Sequence, residues 1–178
     1  MLEKKIPVPE NLAVEIHGKN LVVKGNKGTL EKSFEDPKFL SISIEKSGNE
    51  ITVSSSKDTK KYRAMIGTIV AHLNNMFIGV TSGYKYTLKI FYTHFPINIT
   101  VKDKEIQIRN FLGEKGARIA KITGKIEVKI EKDEILLSGI NKEELGQTSA
   151  NIELACKITK RDRRVFQDGI YLAARAAA

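Results

Sequence analysis

Leu12-Ala13-Val14-Glu15-Ile16-His17-Gly18-Lys19-Asn20-Leu21-Val22-Val23 and Ile97-Asn98-Ile99-Thr100-Val101-Lys102-Asp103-Lys104-Glu105-Ile106-Gln107-Ile108 decide the fold. In the first stretch Leu12, Val14 and Ile16 alternate with polar residues, and Leu21 and Val23 follow after Gly18-Lys19-Asn20. In the second, Ile97, Ile99 and Val101 are followed by Ile106 and Ile108. A period of two is the signature of a strand with one face in a core and one in water. Each stretch therefore predicts a pair of short strands, and the two pairs match each other.

The match extends outward. Leu40, Ile42 and Ile44, then Ile51 and Val53, predict further strands, separated by turns at Gly25-Asn26-Lys27-Gly28 and Ser47-Gly48-Asn49. Tyr62, Met65, Ile66, Ile69, Val70, Leu73, Met76 and Phe77 then take helical spacing, with Asp58 as expected N-cap and Gly79 as expected stop. The second half repeats the order: Ile126, Val128 and Ile130, then Ile135 and Leu137, then a helix from about Lys142 to Ile158 capped by Asn141. Val14 falls on Ile99, Leu21 on Ile106, Val23 on Ile108 and Ile69 on Ile152, at offsets of 83 to 85. Gly25 to Gly28 has a counterpart in Gly113 to Gly116. Chance similarity of two hairpin families is the alternative; agreement of strands, turn and helix together favours duplication. The expected fold is α+β, two tandem duplicated domains at residues 1–82 and 83–178. Each is a small, mainly antiparallel sheet packed against one helix, and they join near Gly79 to Gly83, before the strand-like run Tyr84 to Tyr92.

Composition narrows function. With 178 residues and 41% hydrophobic content the chain can build packed cores, and 30 Lys and Arg against 21 Asp and Glu leave a net charge of +9. Such a field attracts polyanions. No uninterrupted apolar run approaches the roughly 18 residues that span a bilayer, and Met1 to Val8 lacks a signal-peptide core, so a soluble cytoplasmic protein is expected. His17, His72 and His94 lack metal-ligand spacing. The single cysteine, Cys156, has no evident base partner and reads as a small buried residue. Neither glycine turn continues into a phosphate-binding loop. No catalytic residue, cofactor, metal or small-molecule substrate is expected.

Nucleic acid is the better partner. The Gly-x-x-Gly turns match the clamp of KH domains only loosely, since that clamp joins helices and these join strands. Around Gly113 to Gly116, however, Arg109, Asn110, Phe111, Lys115 and Arg118 could offer stacking and phosphate charge together, with a solvated hairpin tip as the alternative. Residues 1–82 carry twelve Lys and Arg against nine acids, and residues 83–178 eighteen against twelve. The excess concentrates in Lys157, Lys160, Arg161, Arg163 and Arg164, just before Phe166 and Tyr171. Cations can serve a helix C-terminus alone, but five exceed that need. RNA contact through this segment is the stronger expectation. His94, in a loop, reads equally as an RNA contact or a packed residue.

Ile158-Thr159-Lys160-Arg161-Asp162-Arg163-Arg164-Val165-Phe166-Gln167-Asp168-Gly169-Ile170-Tyr171-Leu172, followed by Arg175, resembles the C-terminal signature of the large-subunit ribosomal protein family "L six", called "L nine" in eukaryotes, in its archaeal and eukaryotic branch. Gly79 to Tyr84, His94 to Asn98 and Arg109 to Lys115 carry the same resemblance. It implies a duplicated fold and a structural, non-enzymatic constituent of the large ribosomal subunit. It further implies binding of rRNA near the sarcin-ricin loop and translation-factor site, with neighbouring ribosomal proteins as partners. By the same resemblance Lys115, Arg161, Arg164, Phe166 and Tyr171 inherit RNA-contact roles, while Leu154 stands where relatives commonly carry Gln. The rival expectation is an extra-ribosomal module that binds proteins through an exposed sheet edge at Thr87 to Phe91.

Overall fold

The computed structural model describes residues 2–39, 41–159, 161–162 and 164–177, so Leu40, Lys160 and Arg163 lie outside the described residues. It divides into two compact units, Met1–Gly83 and Tyr84–Ala178.

The first unit contains β1 (Leu2–Pro7), β2 (Ala13–His17), β3 (Asn20–Gly25), β4 (Gly28–Ser33), β5 (Ile42–Ser47), β6 (Glu50–Ser55) and α1 (Lys60–Thr81). They form two antiparallel sheets, β1-β6-β5 and β2-β3-β4. The alternating residues face inward as expected: Leu21 and Val23 of β3 and Ile51 and Val53 of β6 are completely buried. Against them α1 lays Ile66, Ile69, Leu73 and Val80. β1 was not expected, because three consecutive charged residues in Leu2-Glu3-Lys4-Lys5-Ile6-Pro7 obscure its period.

Both expected ends of α1 are corrected. The helix begins after Thr59, and the Asp58 carboxylate instead accepts from Arg63 Nε at 2.8 Å. Gly79 is buried within the helix. The stop is Gly83, whose φ of 78° lies in the left-handed region, and both its N–H and that of Ser82 donate to the Ile78 carbonyl, at 3.1 and 2.9 Å. His72, Asn74 and Asn75 break the apolar run of α1 and hide its overall hydropathy. At 22 residues, with a mean hydropathy of 1.3 over its most apolar window, it is long and apolar enough to cross a membrane by length and composition. Here its apolar face packs on the unit's own sheets.

The second unit repeats this plan with β7 (Tyr84–Phe91), β8 (Asn98–Lys102), β9 (Glu105–Arg109), β10 (Arg118–Lys121), β11 (Glu127–Glu131), β12 (Glu134–Gly139) and α2 (Lys142–Ala155), and adds β13 (Gly169–Ala177). β8-β9-β10 corresponds to β2-β3-β4, and β7-β12-β11 to β1-β6-β5. Even the first hairpin turns agree, with positive φ at Gly18 (64°) and at Asp103 (53°). Ile106, Ile108, Ile135 and Leu137 are completely buried, as their equivalents are. Asn141 caps α2, its side chain accepting from the Glu143 N–H at 3.0 Å. The helix stops at Ala155, short of the expected Ile158.

β13 changes the sheet. Its residues Ile170 and Leu172 sit opposite Ile90 and Leu88 of β7, and the register slips once between Leu172 and Ala174. β7 is thereby paired on both sides, with β12 and with β13. Thr87 to Phe91 is consequently not an edge, and the expectation of a protein-binding edge there is corrected.

At Gly25, the last residue of β3, an added Cβ would lie 2.7 Å from Leu12 Cδ2, 2.8 Å from Val80 Cγ2 and 2.9 Å from the Val80 carbonyl oxygen. Gly67, mid-helix in α1, has open space around it. Gly25→Ala is expected to destabilise the protein by about 1–3 kcal/mol through overpacking, and Gly67→Ala to stabilise it by about 0.5–1 kcal/mol through helix propensity. Urea denaturation followed by circular dichroism measures both.

Candidate nucleic-acid interface

The cationic segment leaves α2 at the Cys156 cap and returns as β13, so it is held at both ends. Arg118 secures the first. Its Nη1 donates to the carbonyls of Ala155 at 2.8 Å and Lys157 at 3.2 Å. Its other nitrogens form a two-pronged pair with Glu114, Nε to Oε2 at 2.8 Å and Nη2 to Oε1 at 2.6 Å. The guanidinium also lies over the Phe111 ring, 4.4 Å from its centroid. The Arg118 hydrogen bonds hold the Glu114 carboxyl below its ordinary value, and the charge of Arg161 adds a smaller contribution. Burial pushes the neighbouring Cys156 thiol up to about 12, which keeps it protonated and inert.

Asp168 secures the other end. Its carboxylate is only 1% exposed, yet it accepts from Thr93 Oγ1 at 2.6 Å, the Thr93 N–H at 3.1 Å, the His94 N–H at 3.4 Å and His94 Nδ1 at 3.1 Å. Burial acts to raise this carboxyl, but the converging donors outweigh it and leave the group below its ordinary value. The contact requires the His94 proton on Nδ1. The imidazole in turn stacks on Phe166, centroids 4.7 Å apart with 21° between planes. Arg161 also lies on Phe166, its Cζ 4.6 Å from the centroid. Asp168 and Thr93 were missed from sequence, where an acid near a basic stretch gives no sign of burial. His94 packs on Phe166 and Asp168 while its side chain keeps 36% of its surface exposed.

The two segments chosen separately from sequence thus meet. Lys115, Lys157, Arg161 and Arg164 are exposed, as is Arg109, whose Nη2 reaches Gln107 Oε1 at 3.3 Å. Arg164 is held by Asp162, Nη2 to Oδ2 at 2.9 Å, on a side chain that is 90% exposed. Tyr171 directs its hydroxyl to the Gln167 carbonyl at 3.2 Å. Three of the expected residues are engaged within the unit. Phe111 is completely buried and offers no face for a base. Arg118 is engaged by Glu114 and the end of α2. Asn110 adopts a φ of 60° and donates from Nδ2 to the Pro96 carbonyl at 3.0 Å, shaping the loop. Leu154 is 62% exposed on α2. Of the expected set, Lys160 and Arg163 lie outside the described residues.

The duplicated turns differ in use. Lys27 donates to the α1 terminus twice, from its N–H to the Val80 carbonyl at 3.0 Å and from Nζ to the Ser82 carbonyl. That is a helix-end contact made by a cation. Lys115, its counterpart, points away from the fold as an exposed residue.

A family model described as Ribosomal protein L6 matches residues 8–83 and again 95–169. The chain is 47% identical to the large ribosomal subunit protein uL6 of Methanocella arvoryzae over 174 residues, 97% of each protein. It is 45% identical to that of Desulfurococcus amylolyticus, covering 95% of this chain and 92% of the relative. It is 44% identical to that of Methanosarcina mazei over 98% of both. The twofold match falls on the structural repeat.

Because hydrogen bonds lower the Asp168 carboxyl, its contribution is fully present above the unfolded value near 3.8 and is lost as pH falls through the folded value. Asp168→Ala is expected to cost about 1–3 kcal/mol at neutral pH. The gap from the parent protein should narrow progressively as pH falls below 3.8, as measured by chemical denaturation over a series of pH values from neutral downward.

Proposed function

This chain belongs to the ribosomal protein L6 family, and on that premise we propose that it is a structural constituent of the large ribosomal subunit. The family is non-enzymatic. In this reading the protein binds large-subunit rRNA near the sarcin-ricin loop and the translation-factor site, among neighbouring ribosomal proteins of a cytoplasmic ribosome. Residues 1–82 act as a packing domain and residues 83–178 as the main RNA-binding domain.

The observation that carries the reading is the convergence of the 109–118 loop and the 157–171 segment on one unit, with Arg118 and Asp168 anchored inward and Arg109, Lys115, Lys157, Arg161 and Arg164 exposed. Exposed Arg109, Lys115, Lys157, Arg161 and Arg164 suit phosphate oxygens. Lys160 and Arg163 belong to the same stretch of sequence. Phe166 and Tyr171 supply rings beside them. Asn110, Phe111 and Arg118 take positioning roles instead of contacting RNA. Neutralising phosphates releases condensed counterions, so affinity rests on many modest contacts and falls steeply with salt.

Arg161→Ala combined with Arg164→Ala is expected to weaken binding to a large-subunit rRNA transcript and to lower the salt slope by up to about 1.8. Filter binding at several salt concentrations measures it, and an unchanged slope would count against phosphate contact. Lys115→Ala should weaken RNA binding in the same assay. Lys27→Ala should leave RNA binding intact and lower thermal stability, because its lysine closes α1.

A further inference from the structure

Next to the cationic segment, within the second unit, lies a cleft of about 580 Å³ lined by Phe91, Tyr92, Thr93, Arg164, Gln167 and Tyr171. Three of its rings are open to water: Phe91 is 51% exposed, Tyr92 45% and Tyr171 40%. Single exposed apolar residues need no explanation, but a group gathered at one cleft marks a binding site. The chain has twelve Phe and Tyr and no Trp, so a quarter of its large rings are left wet in one place. Phe91 and Tyr171 stand 6.0 Å apart at 49°, two walls of a corner open to a third ring.

The polar members of the lining identify the occupant. Arg164 brings a positive charge and Gln167 a side-chain amide, and none of the six residues is acidic. The adjoining cleft at Lys89, Ile90, Phe91, Tyr92, Asp133 and Glu134 has two carboxylates and would repel a phosphate. A flat π-face, a hydrogen-bonding edge and a negative charge one linkage away occur together in a nucleotide. The walls are also set in advance. Asp168 fixes Thr93, and Tyr171 Oη holds the Gln167 carbonyl at 3.2 Å, so little ordering accompanies entry.

We propose that this cleft receives one unstacked RNA nucleobase, packed on the Phe91 and Tyr171 rings with Arg164 at the adjoining phosphate. The inference rests on the rRNA-binding reading above and adds to it a base-level contact that joins Phe91, outside the cationic segment, to Arg164 and Tyr171 within it. A base inside a duplex cannot present its face, so the target nucleotide is bulged, looped or terminal.

The test uses the full chain and a large-subunit rRNA transcript, with affinity measured over a range of salt concentrations. Phe91→Ala and Tyr171→Ala are each expected to weaken binding about tenfold with an unchanged salt slope, since stacking releases no counterions. Phe91→Leu should lose affinity and Phe91→Tyr should keep it, which separates a π-face from simple bulk. Photocrosslinks from 4-thiouridine-substituted transcript should map to peptides containing residues 91–93 or 167–171. Parent-like affinity in both alanine variants overturns the proposal while leaving phosphate binding intact. A changed salt slope in the ring variants, or full affinity in Phe91→Leu, overturns it as well. If the parent protein binds no rRNA, the reading beneath it fails first.

Discussion

The pairing of β13 with β7 is the constraint on which the second unit depends. It brings the last strand of the chain back beside the first strand of that unit, with Ile170 opposite Ile90 and Leu172 opposite Leu88. A segment of many like charges would by itself stay extended and solvated. Here its two ends are fixed, one by α2 and one by the sheet, so the positions of Lys157, Arg161 and Arg164 are set by a hydrophobic core that contains none of them. In the first unit the matching sheet is β1-β6-β5, with no counterpart of β13 among the described residues.

Charges in this protein follow a division by burial. Asp168 and Arg118 are turned inward, and each meets several partners, as a buried or half-buried charge requires. Arg161, Arg164 and Lys115 are turned outward, where ion pairs such as Arg164 with Asp162 are weak and readily exchanged for phosphate. The inward pair decides where the outward set stands. Lys27 and Lys115 show the same division across the duplication: one lysine closes a helix and the other is left in solvent.

Aromatic residues divide in the same way. Phe111 is enclosed by the second core and covered by Arg118. Phe166 is half-buried under His94 and Arg161. Phe91, Tyr92 and Tyr171 remain at the surface around a preformed cleft. A ring can stack on RNA only with a free face, so exposure and not residue type separates core from interface.

The sequence by itself determined the duplication, the α+β class, most of the strands and the basic character of the second half. Leu21, Val23, Ile106 and Ile108 alternate with period two because one sheet face must exclude water, and that demand is local. β1 and β13 were hidden because Glu3, Lys4 and Lys5 and the small residues of Ala173 to Ala177 carry little periodic signal, and their pairing comes from partners about 50 and 80 residues away in the chain. Burial of Phe111, engagement of Arg118 and the convergence of donors on Asp168 were likewise decided by tertiary structure. Whether a side chain is inside or outside depends on what packs over it, and no local pattern of residues records that.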